Sequence, residues 1–186
     1  MTTILRRSAA KGFTLIELLI VVIIIAILAA IAIPQFSNTS GDAQESAAIA
    51  NLTTMRSAVE LYRVQHNNTY PSKFAATGTA PECKGTAGAG KDGETGTFTE
   101  QMTMFTDLTG HACSTADPGY SYGPYMRAIP VEPVTNSADV AIATSDTDKL
   151  ADATTTKGWR FVNLNGKLQI NSDKVMRDGK TKLSEK

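Results

Sequence analysis

The sequence predicts an α+β protein, in which a long amino-terminal α-helix packs with its carboxyl-terminal half on a small antiparallel β-sheet. Apolar side chains recur at intervals of 4, 3, 4 and 3 residues, at Ala48, Leu52, Met55, Val59 and Tyr62. This spacing places them on one face of a helix. The sheet is indicated by Asn165-Gly166, a preferred two-residue hairpin turn, between two short apolar segments. An unbroken apolar segment before residue 34 extends the predicted helix toward the amino terminus.

The bounds of the helix follow from residues that start, bend or stop helices. We expect it to run from about Phe13 to His66. Pro34 lies inside this range and lacks a backbone N–H, so it is predicted to kink the helix rather than to end it. Asn67-Asn68 and Pro71 follow the periodic segment and are predicted to stop it.

The hairpin is predicted over residues 158–171. A two-residue turn would place Phe161 opposite Ile170. Four large apolar side chains would then share one face, which is predicted to cover the helix: Trp159, Phe161, Leu168 and Ile170.

The other segments give weaker signals. Residues 77–97 contain six glycines and are predicted to form a flexible surface loop. Residues 101–108 are predicted to form a short helical turn, and the polar residues 174–186 a fraying tail. Three tyrosines are predicted to pack between a loop and the helix: Tyr120, Tyr122 and Tyr125.

Charge and composition narrow the classes of function. The chain has 186 residues, room for about one domain, with eighteen basic and eighteen acidic side chains. Without residues 1–12 it would have fifteen basic and eighteen acidic side chains, a net charge of −3. Proteins that bind nucleic acid by charge need excess Lys and Arg, so we expect no nucleic-acid partner. Two cysteines are too few for a four-thiolate zinc site.

Hydropathy divides the chain into three parts: a leader peptide at 1–12, a hydrophobic helix at 13–34 and a soluble domain at 35–186. The leader is basic and contains no acid. The hydrophobic part reaches the roughly 20 residues that cross a bilayer, and its polar residues are Thr14 and Glu17.

Three interpretations of the hydrophobic part are open. It resembles a secretory signal with an A-x-A cleavage site at Ala30-Ile31-Ala32, although such apolar regions are typically about 7–15 residues long. It is also long enough for a plain membrane anchor. The third interpretation is an anchor with a task, because an intramembrane acid such as Glu17 is a candidate functional residue.

The segment Lys11-Gly12-Phe13-Thr14-Leu15-Ile16-Glu17-Leu18 resembles the processing site of class III signal peptides. These belong to the prepilin family, which comprises type IV pilins and the pseudopilins of type II secretion systems. The resemblance is close over residues 6–36 and is one of pattern over 37–70. It implies that a prepilin peptidase cleaves between Gly12 and Phe13 and methylates the new amino terminus.

The resemblance also implies a location and partners. The subunit would span the bacterial inner membrane once, with its soluble domain in the periplasm, and basic residues in the leader favour this orientation. An inner-membrane assembly platform would then add it to identical subunits in a helical filament.

Glu17 needs a cation in such a filament, because a buried unpaired carboxylate is very unfavourable. No Lys or Arg lies between Phe13 and Arg56. The amine of Phe13 on a neighbouring subunit is therefore the expected partner of Glu17.

Cys83 and Cys113 are predicted to form a disulfide, since a domain outside the inner membrane meets oxidising conditions. Two unpaired thiols are the alternative. Pilins often carry a disulfide near the carboxyl terminus, whereas here the last thirteen residues lie far outside such a loop.

We expect no cofactor and no metal ion. Some major pseudopilins hold calcium in a carboxyl-terminal loop, and oxygen ligands suit this ion. The spacing of the available acids matches no compact calcium loop, so calcium is kept only as the alternative; these acids are Asp139, Asp146, Asp148 and Asp152.

The predicted function is structural rather than enzymatic, since neither His66 nor His111 accompanies a recognisable nucleophile motif. The first hypothesis is a subunit of a type IV pilus-like filament, because residues 29–36 resemble pilins. The alternative is a major pseudopilin of a type II secretion system, which residues 122–130 and the hairpin resemble. A further alternative is a membrane-anchored binding module, which need not form filaments and should tolerate loss of Glu17.

Overall fold

The computed structural model describes residues 13–78, 82–145, 156–176 and 178–186, without the side chains of residues 33–40. The chain divides into two compact units, Met1–Gly41 and Asp42–Lys186. Within the described residues, the second unit contains two small sheets and a hydrophobic core, and the core is built from helices and the three-stranded sheet. The α+β class is confirmed.

Helix α1 spans Leu15–Gln65, close to the predicted range. The predicted core face is buried throughout, with no side chain more than 2% exposed at Ala48, Leu52, Met55, Val59 and Tyr62. Asn67 and Asn68 follow the helix with φ values of 50° and 65°. Asparagine tolerates this left-handed conformation, which ends the helix where the sequence indicated.

Helix α2 spans Thr95–Thr103, so the helical turn predicted at residues 101–108 is displaced. Its buried Phe98 and Met102 join the core. Alternate positions around them hold threonine, whose β-branched side chain has low helix propensity, and this explains why the sequence did not indicate the helix. After it, strand β1 (Phe105–Thr106) pairs antiparallel with β2 (Ala112–Cys113).

A second sheet contains β3 (Val140–Ala143), β4 (Trp159–Val162) and β5 (Leu168–Ile170) in that order. Strands β4 and β5 are antiparallel, as predicted, but β3 is parallel to β4. Fifteen residues separate β3 from β4, and parallel pairing needs a crossover of roughly a dozen residues or more. The sheet is therefore mixed rather than entirely antiparallel.

The register of the β4–β5 hairpin differs from the prediction by two residues. Trp159 lies opposite Ile170, and Phe161 lies opposite Leu168. Side chains alternate between the two faces of a strand, so a shift of two residues leaves every side chain on its predicted face. All four are buried in the core that includes α1.

The shift arises because the hairpin turn has four residues, 163–166, instead of two. The Val162 N–H donates to the Lys167 carbonyl at 2.9 Å and closes the turn. Asn163 belongs to the turn, and its Nδ2 donates to the Ser72 carbonyl at 2.9 Å. This long-range hydrogen bond has no signature in the local sequence.

The carboxyl-terminal segment does not fray as predicted. Leu183 and Ser184 are at most 1% exposed, and Leu183–Glu185 forms a 3₁₀ turn. The Leu183 N–H donates to the Lys174 carbonyl at 3.0 Å, and Gln169 Nε2 donates to the Ser184 carbonyl at 2.8 Å. Leu183 thus anchors a polar segment in the core.

The glycine-rich segment is only partly a surface loop. Gly88 and Gly90 are buried. Glu100 of α2 accepts hydrogen bonds from the backbone N–H groups of Ala89 and Gly90, at 3.0 and 2.9 Å to Oε2. A Cβ at Gly90 would lie 2.4 Å from Thr97 Oγ1, so this close approach requires glycine. Residues 79–81 lie outside the described part of the chain.

Candidate functional site

The predicted processing site lies at the edge of the described structure. Gly12 is outside the described residues, whereas Phe13 is described and is 82% exposed. Cleavage between them, and methylation of Phe13, therefore stay predictions.

Glu17 takes part in a capping box at the start of α1. The Thr14 N–H and hydroxyl donate to Glu17 Oε2 at 2.9 and 2.7 Å. In return, the Glu17 N–H lies 3.3 Å from Thr14 Oγ1. Thr14 precedes the helix and Glu17 is its third residue, which is the arrangement that satisfies free N–H groups at a helix start.

The capping box gives Glu17 a local role that the sequence interpretation did not include. The signal was present, because a Thr-x-x-Glu pattern directly precedes an apolar segment. The two donors from Thr14 are neutral, however, so the capping box leaves the negative charge of Glu17 uncompensated. Any test of Glu17 must separate helix capping from pairing with a cation.

The helix segment Leu15–Ala32 has a mean hydropathy of 3.3 and none of it is buried. Its length and composition suffice to cross a membrane. Its large side chains are exposed all round the helix, at consecutive positions from Leu18 to Ile25. A helix that is apolar all round needs lipid or other helices around it.

Pro34 lies within α1, as predicted. The structure does not describe the side chains of residues 33–40, and Pro34 is one of these residues. The predicted kink at Pro34 therefore stays a prediction.

Cys83 and Cys113 form a disulfide, as predicted, with their Cα atoms 5.7 Å apart. Asp117 supports the segment around it, because its Oδ2 accepts hydrogen bonds from the Thr115 hydroxyl and from the Lys84 N–H, both at 2.7 Å. The hydrogen bond from Thr115, followed by that from Lys84, lowers the pKa of Asp117. The disulfide thus ties the glycine-rich segment to strand β2.

We expect reduction of this disulfide to lower the free energy of unfolding by about 3–4 kcal/mol, because the intact disulfide closes a long loop in the unfolded chain. Thermal unfolding of the detergent-solubilised protein, with and without reductant, measures the effect. The double variant Cys83→Ser/Cys113→Ser is the control and should not respond to reductant. Two thiols that alkylate in unreduced protein would contradict the prediction.

Three tyrosines and His66 pack together at the carboxyl-terminal end of α1. The His66 ring stacks on Tyr62 with 3.8 Å between ring centroids, and Tyr122 and Tyr125 lie within 6.0 Å of it. Nδ1 of His66 lies 2.9 Å from the Tyr62 carbonyl, which can only accept, so Nδ1 carries the proton and Nε2 accepts from the Thr106 hydroxyl at 3.0 Å. Burial lowers the pKa of His66 and raises that of Tyr125 to about 12. The cluster is a packing element. It contains Tyr122 and Tyr125, two of the three tyrosines that the sequence predicted to pack against the helix.

Three of the four candidate calcium ligands lie outside the described residues: Asp146, Asp148 and Asp152. Within the described residues, the acids and thiols that approach closely enough to hold a metal are Cys83, Cys113 and Asp117. Both of these sulfurs belong to the disulfide, which removes them as thiolate ligands. The expected absence of a cofactor and a metal ion therefore stays a prediction, with calcium binding as its alternative.

Residues 7–33 match the family model described as the prokaryotic N-terminal methylation motif. The type IV major fimbrial protein FimA of Dichelobacter nodosus is 56% identical over 54 residues, 29% of this chain and 35% of that protein. A fimbrial protein of Neisseria meningitidis serogroup B is 39% identical over 98 residues, 52% of this chain and 57% of that protein. The type II secretion system core protein G of Klebsiella michiganensis is 29% identical over 68 residues, 37% of this chain and 47% of that protein.

The chain thus spans between about a third and just over half of the length of these curated relatives. No solved structure matches the chain. The names of the relatives describe fimbrial and secretion-system proteins rather than enzymes, in agreement with the predicted structural function.

Proposed function

We infer that this chain is a structural subunit of a type IV pilus-like filament. The match to the methylation motif and the similarity to type IV fimbrial and secretion-system proteins support its place in the type IV pilin and pseudopilin family. The observation that carries this proposal is the helix segment Leu15–Ala32, which is apolar on every side and buried nowhere. The inner membrane surrounds this segment in the stored subunit. Neighbouring copies of the segment surround it in the filament.

Processing links the two states of the subunit. A prepilin peptidase removes residues 1–12 and leaves a methylated amine on Phe13. This removes the basic side chains of the leader, so the amine is the cation closest in sequence to Glu17. An inner-membrane assembly platform then transfers the subunit, with its soluble domain on the periplasmic side, to the growing filament.

A major pseudopilin of a type II secretion system is the second candidate. It is favoured by the similarity to the secretion-system core protein G, at 29% identity. The pilin assignment rests on higher identity, 56%, over a shorter segment. Long surface filaments support the pilin, and filaments confined to the periplasm support the pseudopilin.

We expect the subunit in the membrane fraction to begin at Phe13. The reason is that Gly12 offers no side chain to obstruct a protease and lies three residues before the start of α1. Amino-terminal sequencing, together with an intact mass that includes one methyl group, tests this. A start after Ala32 would show that signal peptidase removes the helix and would contradict the proposed function. Coexpression without a prepilin peptidase is the control and should leave the leader attached.

A further inference from the structure

The soluble unit has a cavity of about 450 Å³ beside the end of α1. This volume lies within the range of roughly 300–1,000 Å³ that small-molecule sites have. Phe74, Ala75 and Leu108 form apolar parts of its wall, and His66 and His111 add two imidazole rings. Within the described residues, the lining contains no Lys, Arg, Asp or Glu. The cavity therefore suits a neutral molecule, because an ion would find no counter-charge there.

The imidazole ring of His111 is held in one orientation at this wall. Its Nδ1 lies 2.8 Å from Oδ2 of Asp107, which is 8% exposed. The other carboxylate oxygen of Asp107 accepts from the Thr109 hydroxyl at 2.8 Å and from the His111 N–H at 2.9 Å. The ring also packs closely on Gly78, where a Cβ would overlap it. A buried carboxylate and a glycine thus fix the position of this ring.

The fixed ring leaves one nitrogen of His111 free. Burial raises the pKa of Asp107, but the hydrogen bonds from Thr109 and His111 outweigh burial and lower that pKa, so Asp107 is a carboxylate and only accepts. Nδ1 of His111 therefore donates, and Nε2 is an acceptor in the neutral ring. Within the described part of the chain, Nε2 has no partner. Both ring nitrogens of His66, in contrast, lie within hydrogen-bond distance of protein oxygens.

An imidazole that donates to a carboxylate is also the usual arrangement of a metal ligand. Such a site needs further ligands. Among the described residues, the group of three His, Cys, Asp or Glu side chains close enough to share an ion is Cys83, Cys113 and Asp117, which does not include His111. Nε2 of His111 is thus better suited to accept a hydrogen bond than to bind a metal ion.

We propose that this cavity binds a neutral aromatic alcohol of the phenol class, whose hydroxyl donates to Nε2 of His111 and whose ring packs on Phe74 and Leu108. Phe74 and Leu108 are 54% and 46% exposed, so both offer apolar surface to a ligand. An aromatic ring gains edge-to-face or offset-stacked contact with Phe74, which an aliphatic alcohol lacks. The proposal does not depend on filament assembly, because the whole lining belongs to the unit Asp42–Lys186.

Equilibrium dialysis of the detergent-solubilised full chain tests the site, with the same detergent on both sides of the membrane so that partition into micelles cancels. The probes are p-cresol and toluene, which share a methylated ring and differ by the hydroxyl. We expect the wild type to bind p-cresol roughly three- to tenfold more tightly than toluene, the gain from one hydrogen bond. His111→Phe keeps a ring and removes the acceptor, so this preference should disappear.

Two variants that introduce the same side chain locate the bound probe. Ala75→Phe fills the cavity and should lose binding of both probes, whereas Val131→Phe should bind as the wild type does, because Val131 is 50% exposed and lies outside the lining. Trp159 fluorescence reports whether each variant is folded.

The wild type alone can overturn the proposal, by binding p-cresol no more tightly than toluene. An unchanged preference for p-cresol in folded His111→Phe would show that another group accepts the hydroxyl and would overturn it as well. Unchanged binding in folded Ala75→Phe would place the probe outside the cavity, with the same consequence.

Discussion

Replacing Glu17 by Gln is expected to leave the subunit in the membrane and to lower the yield of sheared filaments by roughly tenfold or more, because breaking a buried charge pair costs about 3–5 kcal/mol. Loss of a charge from an apolar helix makes insertion easier, so impaired insertion cannot explain the result. In the assembled filament, the amine of Phe13 on a neighbouring subunit loses its counter-charge. The measurement is the ratio of sheared filament to total membrane-bound subunit.

The capping box supplies a matched control for this experiment. Gln at the third helical position can still accept from Thr14, so Glu17→Gln removes the charge and keeps the cap. Thr14→Ala does the reverse, since it removes the capping hydroxyl, at a cost of about 1 kcal/mol, and keeps the charge. We expect Thr14→Ala to assemble and Glu17→Gln to fail. If Thr14→Ala fails and Glu17→Gln assembles, Glu17 acts as a helix cap and the amine-pairing mechanism is wrong.

Replacing Phe161 by Ala is expected to lower the free energy of unfolding of the soluble unit by about 3–5 kcal/mol, as for other buried Phe side chains. Phe161 is 0% exposed, and its ring lies 4.8 Å from that of Phe98, centroid to centroid. The chain has one tryptophan, Trp159, in the same strand, whose fluorescence reports unfolding. Denaturant unfolding of the detergent-solubilised full chain measures the change.

Leu164→Ala is the matched control for the core prediction. Leu164 lies in the turn of the same hairpin and is 53% exposed, so its truncation should cost less than about 1 kcal/mol. Equal losses for the two variants would contradict the assignment of the predicted sheet face to the core.

The sequence predicts those parts of the fold in which one local pattern decides the outcome. The core face of α1 follows from helical spacing alone, and the buried face of the hairpin follows from the alternation of side chains. The hairpin register does not, because Asn163 is held by a hydrogen bond to Ser72, 91 residues away. Likewise, Leu183 is one apolar residue in a polar segment, and its burial depends on the shape of the core.

The candidate site shows the same division. The segment from Phe13 to Glu17 is recognisable in the sequence, because the proposed processing and insertion would act on a continuous stretch of chain. The role of Thr14 was also readable from its spacing to Glu17. The cavity of about 450 Å³ beside the end of α1 was not readable, because its lining comes from residues 66–75 and 108–111 and Gln101 of α2 donates a hydrogen bond to the Phe74 carbonyl in this lining.

Assembly through the amino-terminal helix can be tested on filaments sheared from cells that produce this chain, its prepilin peptidase and its assembly platform. Helical reconstruction by electron cryo-microscopy should show a core of α1 helices, with the Glu17 carboxylate of each subunit within hydrogen-bond distance of the Phe13 amine of a neighbour. Wild-type cells without filaments, or filaments whose core lacks residues 13–34 of this chain, would contradict the assignment.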